Sequence, residues 1–279
     1  MQDKLERYVD LHVHTTYSDG SFSPEEVVSH AEECGLKAIG IADHDEVAGV
    51  TEAIWIGHSR GIEIVPAVEL TSACNGKEIH LLGYLIDHNH RELRERLKDF
   101  RRERFQRMTK MIEKLRTLGL DIYMEAVRRI AGRGSLGRLH LARTLFQRGM
   151  VGTVQEAFDR YIGRNKPAYV QKPRIEAAEA FGLIAAAGGI PVLAHPKLVR
   201  IDNHIPELVK LGLRGIEAVY SKHTPEDVKK YLAMAEEYDL LVTGGSDCHG
   251  VIKDTMLLGT VKLPYHYLAT LREHAKPTR

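Results

Sequence analysis

Seven short apolar runs, each closed by polar or turn residues, recur along the chain: "YVDLHVH", "KAIGIADHD", "IEIVPAVEL", "IHLLGYLI", "IPVLAHP", "GIEAVYS" and "LLVTGGSDCH". Stretches of helical period separate several of them. In "SPEEVVSHAEECG", Ser23 is placed as N-cap, Pro24 at the first helical position, Glu26 to close a capping box and Gly35 as the stop. Further helices are expected at 51–61, 175–188 and 224–238. Strand–helix alternation of this kind predicts parallel strands joined by crossover helices, and seven strands point to a barrel rather than an open sheet. The alternation lapses between about 87 and 173, where helices are expected at 91–118, 122–131, 139–148 and 154–162. The expected fold is therefore α/β: a (β/α)7 barrel, 1–88 and 173–279, with a helical insertion, 89–172, over the barrel mouth and contributing to substrate binding.

Charge distribution sharpens this division. The net charge is +1, yet residues 91–172 carry 21 Lys and Arg against 9 Asp and Glu, a net of +12. The remainder carries 18 against 29, a net of −11. A basic segment in an acidic body fits a polyanionic substrate; a solvated helix surface is the plainer reading for its first helix. The start "MQDKLERYVD" has no apolar core of a signal peptide and no run of eighteen apolar residues follows, so a soluble, cytoplasmic protein with no membrane partner is expected. The three cysteines, Cys34, Cys74 and Cys248, are far apart and form no C-x-x-C pair, which argues against a disulfide framework and a zinc ribbon.

The first run holds the clearest chemical signal. On a strand, Asp10, His12 and His14 share one face while Leu11 and Val13 share the other. An H-x-H pair on one strand face can grip one ion with both rings; the other reading is a pair of hydrogen-bonded core histidines. Asp10 is either an acceptor for a ligand imidazole or a solvent-facing carboxylate. Other runs end in His44, Glu69, His195 and the pair Asp247 and His249. In α/β barrels functional groups collect at the carboxyl ends of the strands, and packing does not explain so many charged termini, because unpaired charges are costly to bury. Cys248, between Asp247 and His249, faces away in an extended backbone and reads as packing.

The pieces "DLHVHTTYSDG", "ADHD", "VEL", "IHLLGY", "AHP" and "SDCHG" resemble, in order and over nearly the whole chain, those of the PHP (polymerase and histidinol phosphatase) family. The resemblance implies a distorted seven-stranded barrel with two or three metal ions at its mouth. One ion would take His12, His14, Asp247 and a bridging Glu69. A second would share Glu69 and take His80 and His195, and a third would take Asp19, His44 and His249. His80 enters only through the resemblance, because it opens an apolar run rather than closing one. Imidazole and carboxylate without thiolate suit Mn²⁺, Fe²⁺ or Zn²⁺.

Clustered divalent ions without a G-x-S-x-G or P-loop signature predict hydrolysis by metal-activated water attacking phosphorus, with His195 a candidate to protonate the leaving oxygen. In "GSLGRLHLARTLFQRG", Arg138 opens a helix and His140 and Arg143 lie three apart on one face, an arrangement suited to an anion. "YIGRNKPAYV" adds Arg164, Lys166 and Tyr169. Both segments resemble the branch of nucleoside 3′,5′-bisphosphate phosphatases and 5′→3′ exonucleases of short RNA, which implies phosphate contacts from Arg138, His140 and Lys166; Arg143 is a further substrate-binding candidate from its helix face, with a surface residue as the other reading. The expected substrate is a nucleoside 3′,5′-bisphosphate. Short oligoribonucleotides, histidinol phosphate and a degenerate, non-catalytic metal-binding domain are the alternatives. The basic insertion disfavours a small cationic phosphate such as histidinol phosphate, and filled ligand positions disfavour degeneracy.

Overall fold

The computed structural model describes residues 7–132, 134–172, 174–252 and 255–275. Two compact units form, one from residues up to Glu95 together with those from Arg174 onward, the other from Arg96–Pro173. Pro173, the expected return point to the barrel, lies outside the described residues.

In the first unit, β1 (Tyr8–Val13), α1 (Pro24–Glu33), β2 (Ala38–Ile41), α2 (Ala48–Arg60) and β3 (Glu63–Cys74) alternate as the pattern predicts. Ser23 and Glu26 form the capping box, and Gly35 leaves α1 at φ 70°. The next step departs from the expected crossover. β4 (Lys77–Tyr84) pairs antiparallel with β3 through a two-residue turn, Asn75-Gly76, with both φ positive (50° and 76°). Asn-Gly readily adopts this twisted hairpin geometry, so "CNGK" carried a hairpin signal that strand–helix alternation overrode.

The basic helix α3 (Arg91–Thr117) leads into the second unit, whose helices are α4 (Met124–Ala131), α5 (Arg138–Gln147) and α6 (Val154–Ala157), the last continuing into a π-helical turn at Phe158–Ile162. Met111, Leu115, Ile122, Val127, Leu141 and Leu145 pack its core. Within it Lys114 Nζ and Arg107 Nε donate to the carbonyls of Tyr169 and Val170.

Back in the first unit, the short strand β5 (Ile175–Glu176) pairs with β3 and takes the first two residues of a segment expected to be all helix; α7 (Ala177–Ala186) follows. β6 (Ile190–Leu193) then pairs antiparallel with β4, and α8 (Pro196–Val199) and α9 (Ile205–Leu211) precede β7 (Gly215–Tyr220). After α10 (Pro225–Glu237) come β8 (Leu241–Gly245), the small β9 (Val251–Ile252) and β10 (Thr255–Met256) ribbon, β11 (Leu263–Pro264) and α11 (His266–His274). β6, β7 and β8 run parallel, and β11 flanks β1. The sheet is nearly closed: Asp247 N–H donates to His12 O and His14 N–H to Cys248 O, both at 2.9 Å.

That seam explains Gly245. A Cβ there would sit 2.4 Å from His12 Cβ and 2.5 Å from His12 N, a contact that only a backbone shift relieves. Gly245→Ala is expected to destabilise the protein by about 1–3 kcal/mol or more, read as a lower urea midpoint. An unchanged midpoint would mean that the seam opens freely.

Candidate metal centre

The alternation of β1 places Val9, Leu11 and Val13 opposite Asp10, His12 and His14, and all six are buried. His12 Nδ1 meets Glu217 Oε1 at 2.9 Å, and its Nε2 lies 3.2 Å from His14 Nε2. Two ring nitrogens facing each other at that distance share nearby acceptors: Asp247 Oδ1 is 3.1 Å from His14 and 3.5 Å from His12.

Glu69 is the hub. It lies within β3, which runs on to Cys74, past the end expected for that run. Its Oε2 lies 3.0 Å from His44 Nδ1, 3.2 Å from His14 Nε2 and 3.4 Å from His12 Nε2. Its Oε1 lies 2.8 Å from His80 Nδ1 and 3.1 Å from His195 Nε2. One buried carboxylate thus touches five imidazoles.

His80 reaches it for a topological reason. Because β4 runs against its neighbours, the start of β4 lies where the other strands end, with His80 opposite Thr71. A search of strand carboxyl ends therefore misses it.

The loop after β1 brings Asp19 Oδ1 to 3.2 Å from His249 Nε2, and the rings of His14 and His249 stack at 4.0 Å. Three overlapping groups result, each with donor atoms within 4.8 Å of one another: His12, His14, Glu69 and Asp247; His14, Asp19, His44 and His249; and His44, Glu69 and His80. Compared with the expected partition, His14 and His44 each serve two groups, and His195 adjoins through Glu69 Oε1.

Neighbouring carboxylates set the electrostatics. Burial pushes His12, His14 and His249 down, yet the carboxylates around them prevail: Glu217, Asp247 and Glu69 hold His12 well above its ordinary value, Asp247 and Glu69 raise His14, and Asp19 and Asp247 lift His249 to about 10. Burial likewise pushes Asp19 and Glu69 up, and the rings outweigh it, holding both well below the usual range.

The arrangement fits divalent cations on its own chemistry. Glu69 Oε2 is buried and receives no hydrogen bond among the described residues, although three ring nitrogens surround it. Imidazole nitrogens and carboxylate oxygens are the donors such ions take, and those ions compensate a concentration of acceptors that hydrogen bonds do not.

The supporting residues differ from expectation. Asp10 neither faces solvent nor meets an imidazole. It is fully buried, and its Oδ1 accepts the main-chain N–H of Ser246 at 2.8 Å and of His12 at 3.4 Å; burial raises its pKa to about 6. The imidazole acceptor is instead Glu217, an isolated acid in the otherwise apolar run "GIEAVYS". That isolation was the available signal, because a carboxylate in such a run needs a partner. Asp43 and Asp45, either side of His44, serve the backbone: Asp43 accepts Thr15 N–H and the Thr15 and Ser18 hydroxyls, and Asp45 accepts Thr71 N–H and its hydroxyl. Tyr220 donates its hydroxyl to Asp247 Oδ2 at 2.9 Å. Cys248 is buried and takes the N–H of Gly250, as a packing residue does.

In the second unit, Arg138 opens α5, with Phe158 and Tyr169 rings 5.8 and 5.5 Å from its guanidinium. His140 is buried and its Nδ1 accepts Gly137 N–H at 3.2 Å. Arg143 is half-buried on the same helix, and Arg164 and Lys166 are exposed in the following loop.

Comparison with known proteins decides the family. The PHP domain model matches residues 10–238. The chain belongs to the PHP domain family. This PHP chain is 32% identical over 245 residues to a 5′-3′ exoribonuclease of Haemophilus influenzae, covering 86% of this chain and 89% of that protein. It is 30% identical over 247 residues to a 3′,5′-nucleoside bisphosphate phosphatase of Chromobacterium violaceum, covering 86% and 87%. A solved structure from Bifidobacterium adolescentis, classed by inference as a metal-dependent phosphoesterase, superposes with a TM-score of 0.86 at 29% identity and 95% coverage of each chain. The PHP chain is a metal-dependent phosphoesterase, and the non-catalytic reading is set aside. Among the described residues no helix is long and apolar enough to cross a membrane.

Proposed function

We propose that this enzyme removes the 3′-phosphate of nucleoside 3′,5′-bisphosphates, using two or three divalent ions, Mn²⁺ foremost, held by His12, His14, Asp19, His44, Glu69, His80, His195, Asp247 and His249. The observation that carries the ligand set is Glu69, whose two oxygens reach five of those rings. Ions bound there lower the pKa of water towards neutrality and neutralise phosphoryl oxygens. The protein's own groups hold the donors in place: Glu217 orients His12, and Tyr220 fixes one oxygen of Asp247. His195, at 3.1 Å from Glu69 Oε1, is the candidate to protonate the leaving oxygen.

The net charge of +12 on residues 91–172 favours a doubly phosphorylated substrate over a small cationic one, with Arg138, His140, Arg143 and Lys166 contributing phosphate contacts. A second reading, 5′→3′ hydrolysis of short oligoribonucleotides, draws support from the likeness to the H. influenzae exoribonuclease.

The deciding measurement is phosphate release from adenosine 3′,5′-bisphosphate by Mn²⁺-loaded protein, beside AMP, histidinol phosphate and a short 5′-phosphorylated oligoribonucleotide. Turnover of the bisphosphate with AMP and histidinol phosphate inert is the expected result. Turnover of the oligonucleotide alone would replace the first reading with the second.

A further inference from the structure

Glu217 sits on β7, between β6, which ends near His195, and β8, which leads to Asp247. The β7–β8 register shifts between Glu217 and Val219, and such irregularities re-aim side chains. The carboxylate is fully buried, and its only ion-pair partner among the described residues is His12. Its two oxygens do different things. Oε1 meets His12 Nδ1 at 2.9 Å, and Oε2 accepts the main-chain N–H of His195 at 2.8 Å.

Each contact has a chemical consequence. A carboxylate oxygen is an acceptor, so His12 keeps its proton at Nδ1, and the nitrogen that would give up its proton to an ion is Nε2, beside Glu69 and Asp247. His195 has the sparsely populated backbone angles φ 29° and ψ 60°, a conformation that persists only when its surroundings impose it. The hydrogen bond from its N–H to Glu217 is one such constraint. The two imidazoles stack with centroids 5.9 Å apart, joined through this one side chain.

We propose that Glu217 is the positioning residue of the centre: it selects Nε2 of His12 as the ligand atom and sets the separation of the His12 and His195 arms, so that the sites they serve form together. The proposal rests on the assignment of both histidines as ligands and adds what makes them competent. Outer partners of ligating histidines commonly have this influence, and their loss typically costs about 10–100-fold in metal affinity or activity.

Glu217→Gln tests it. Glutamine keeps the shape but replaces one acceptor oxygen with an amide donor, so one of the two N–H groups loses its partner. Calorimetric titration with Mn²⁺ is expected to show affinity weaker by about 10–100-fold, in protein whose metal-free circular dichroism matches the parent. Unchanged affinity in that folded variant would overturn the proposal. A parent protein that takes up no ion would instead remove the ligand assignment beneath it. Should the variant fail to fold, ¹⁵N-histidine NMR of the unmodified protein loaded with Zn²⁺ decides: the expected spectrum has His12 protonated at Nδ1 and coordinated through Nε2, and the reverse pattern overturns the proposal.

Discussion

Glu69→Gln is expected to lower kcat/KM for phosphoester hydrolysis by about 10³-fold or more, corresponding to the several kcal/mol of charge stabilisation that a correctly held ion supplies. The substitution is nearly isosteric, so the barrel wall around β3 keeps its volume. What changes is the chemistry at the hub. Glu69 Oε2 faces His12, His14 and His44, and Oε1 faces His80 and His195. An amide removes the negative charge shared by those five rings and turns a pair of hydrogens toward nitrogens that would need their lone pairs free for metal. Truncating any single histidine leaves the hub in place, which is why the glutamate has the larger expected effect. Activity is read on the bisphosphate substrate, with the thermal midpoint as a check on folding. A folded variant within tenfold of the parent would show that the reaction does not depend on Glu69.

Most of the centre was legible because strand geometry is local. Alternation along "YVDLHVH" puts His12 and His14 on one face whatever the rest of the chain does, and the polar ends of the other runs mark His44, His195, Asp247 and His249. What could not be read depended on partners distant in sequence. His80 is invisible to a search of strand ends because β4 runs backwards through the Asn75-Gly76 turn, so its first residues lie beside the last residues of other strands. The same alternation places Asp10 with the ligands, yet its acceptors are engaged by Ser246, 236 positions away. Glu217 announces itself only as a lone acid among apolar residues, and its task depends on His12, 205 positions earlier. Periodicity fixes which way a side chain points; pairing of strands decides what it meets.

Removing the metal is expected to abolish hydrolysis and to lower the thermal midpoint by an amount that grows with pH. Ions at about 1,000 times their dissociation constant would stabilise the native state by about 4 kcal/mol, and chelation removes that contribution. The pH dependence comes from the rings. In the metal-free fold, His12 and His14 lie above the ordinary 6.5 and His249 reaches about 10, because Glu217, Asp19, Asp247 and Glu69 outweigh the opposing effect of burial. Between about 6.5 and 10 the folded metal-free chain therefore binds more protons than the unfolded one, and its stability falls as pH rises through that window. The metal-loaded form would not share that decline, since its rings would hold ions in place of those protons, and the ions bind more tightly as protons become scarcer. Melting with and without EDTA should accordingly give a gap that is small at pH 6 and wide at pH 8.5. Titration of the metal-free protein in weak buffer at pH 7.5 should release protons. A gap that stayed constant or narrowed with pH would mean that the cations do not enter among these rings, because no other assignment of the protons makes ion and hydrogen compete for the same nitrogens.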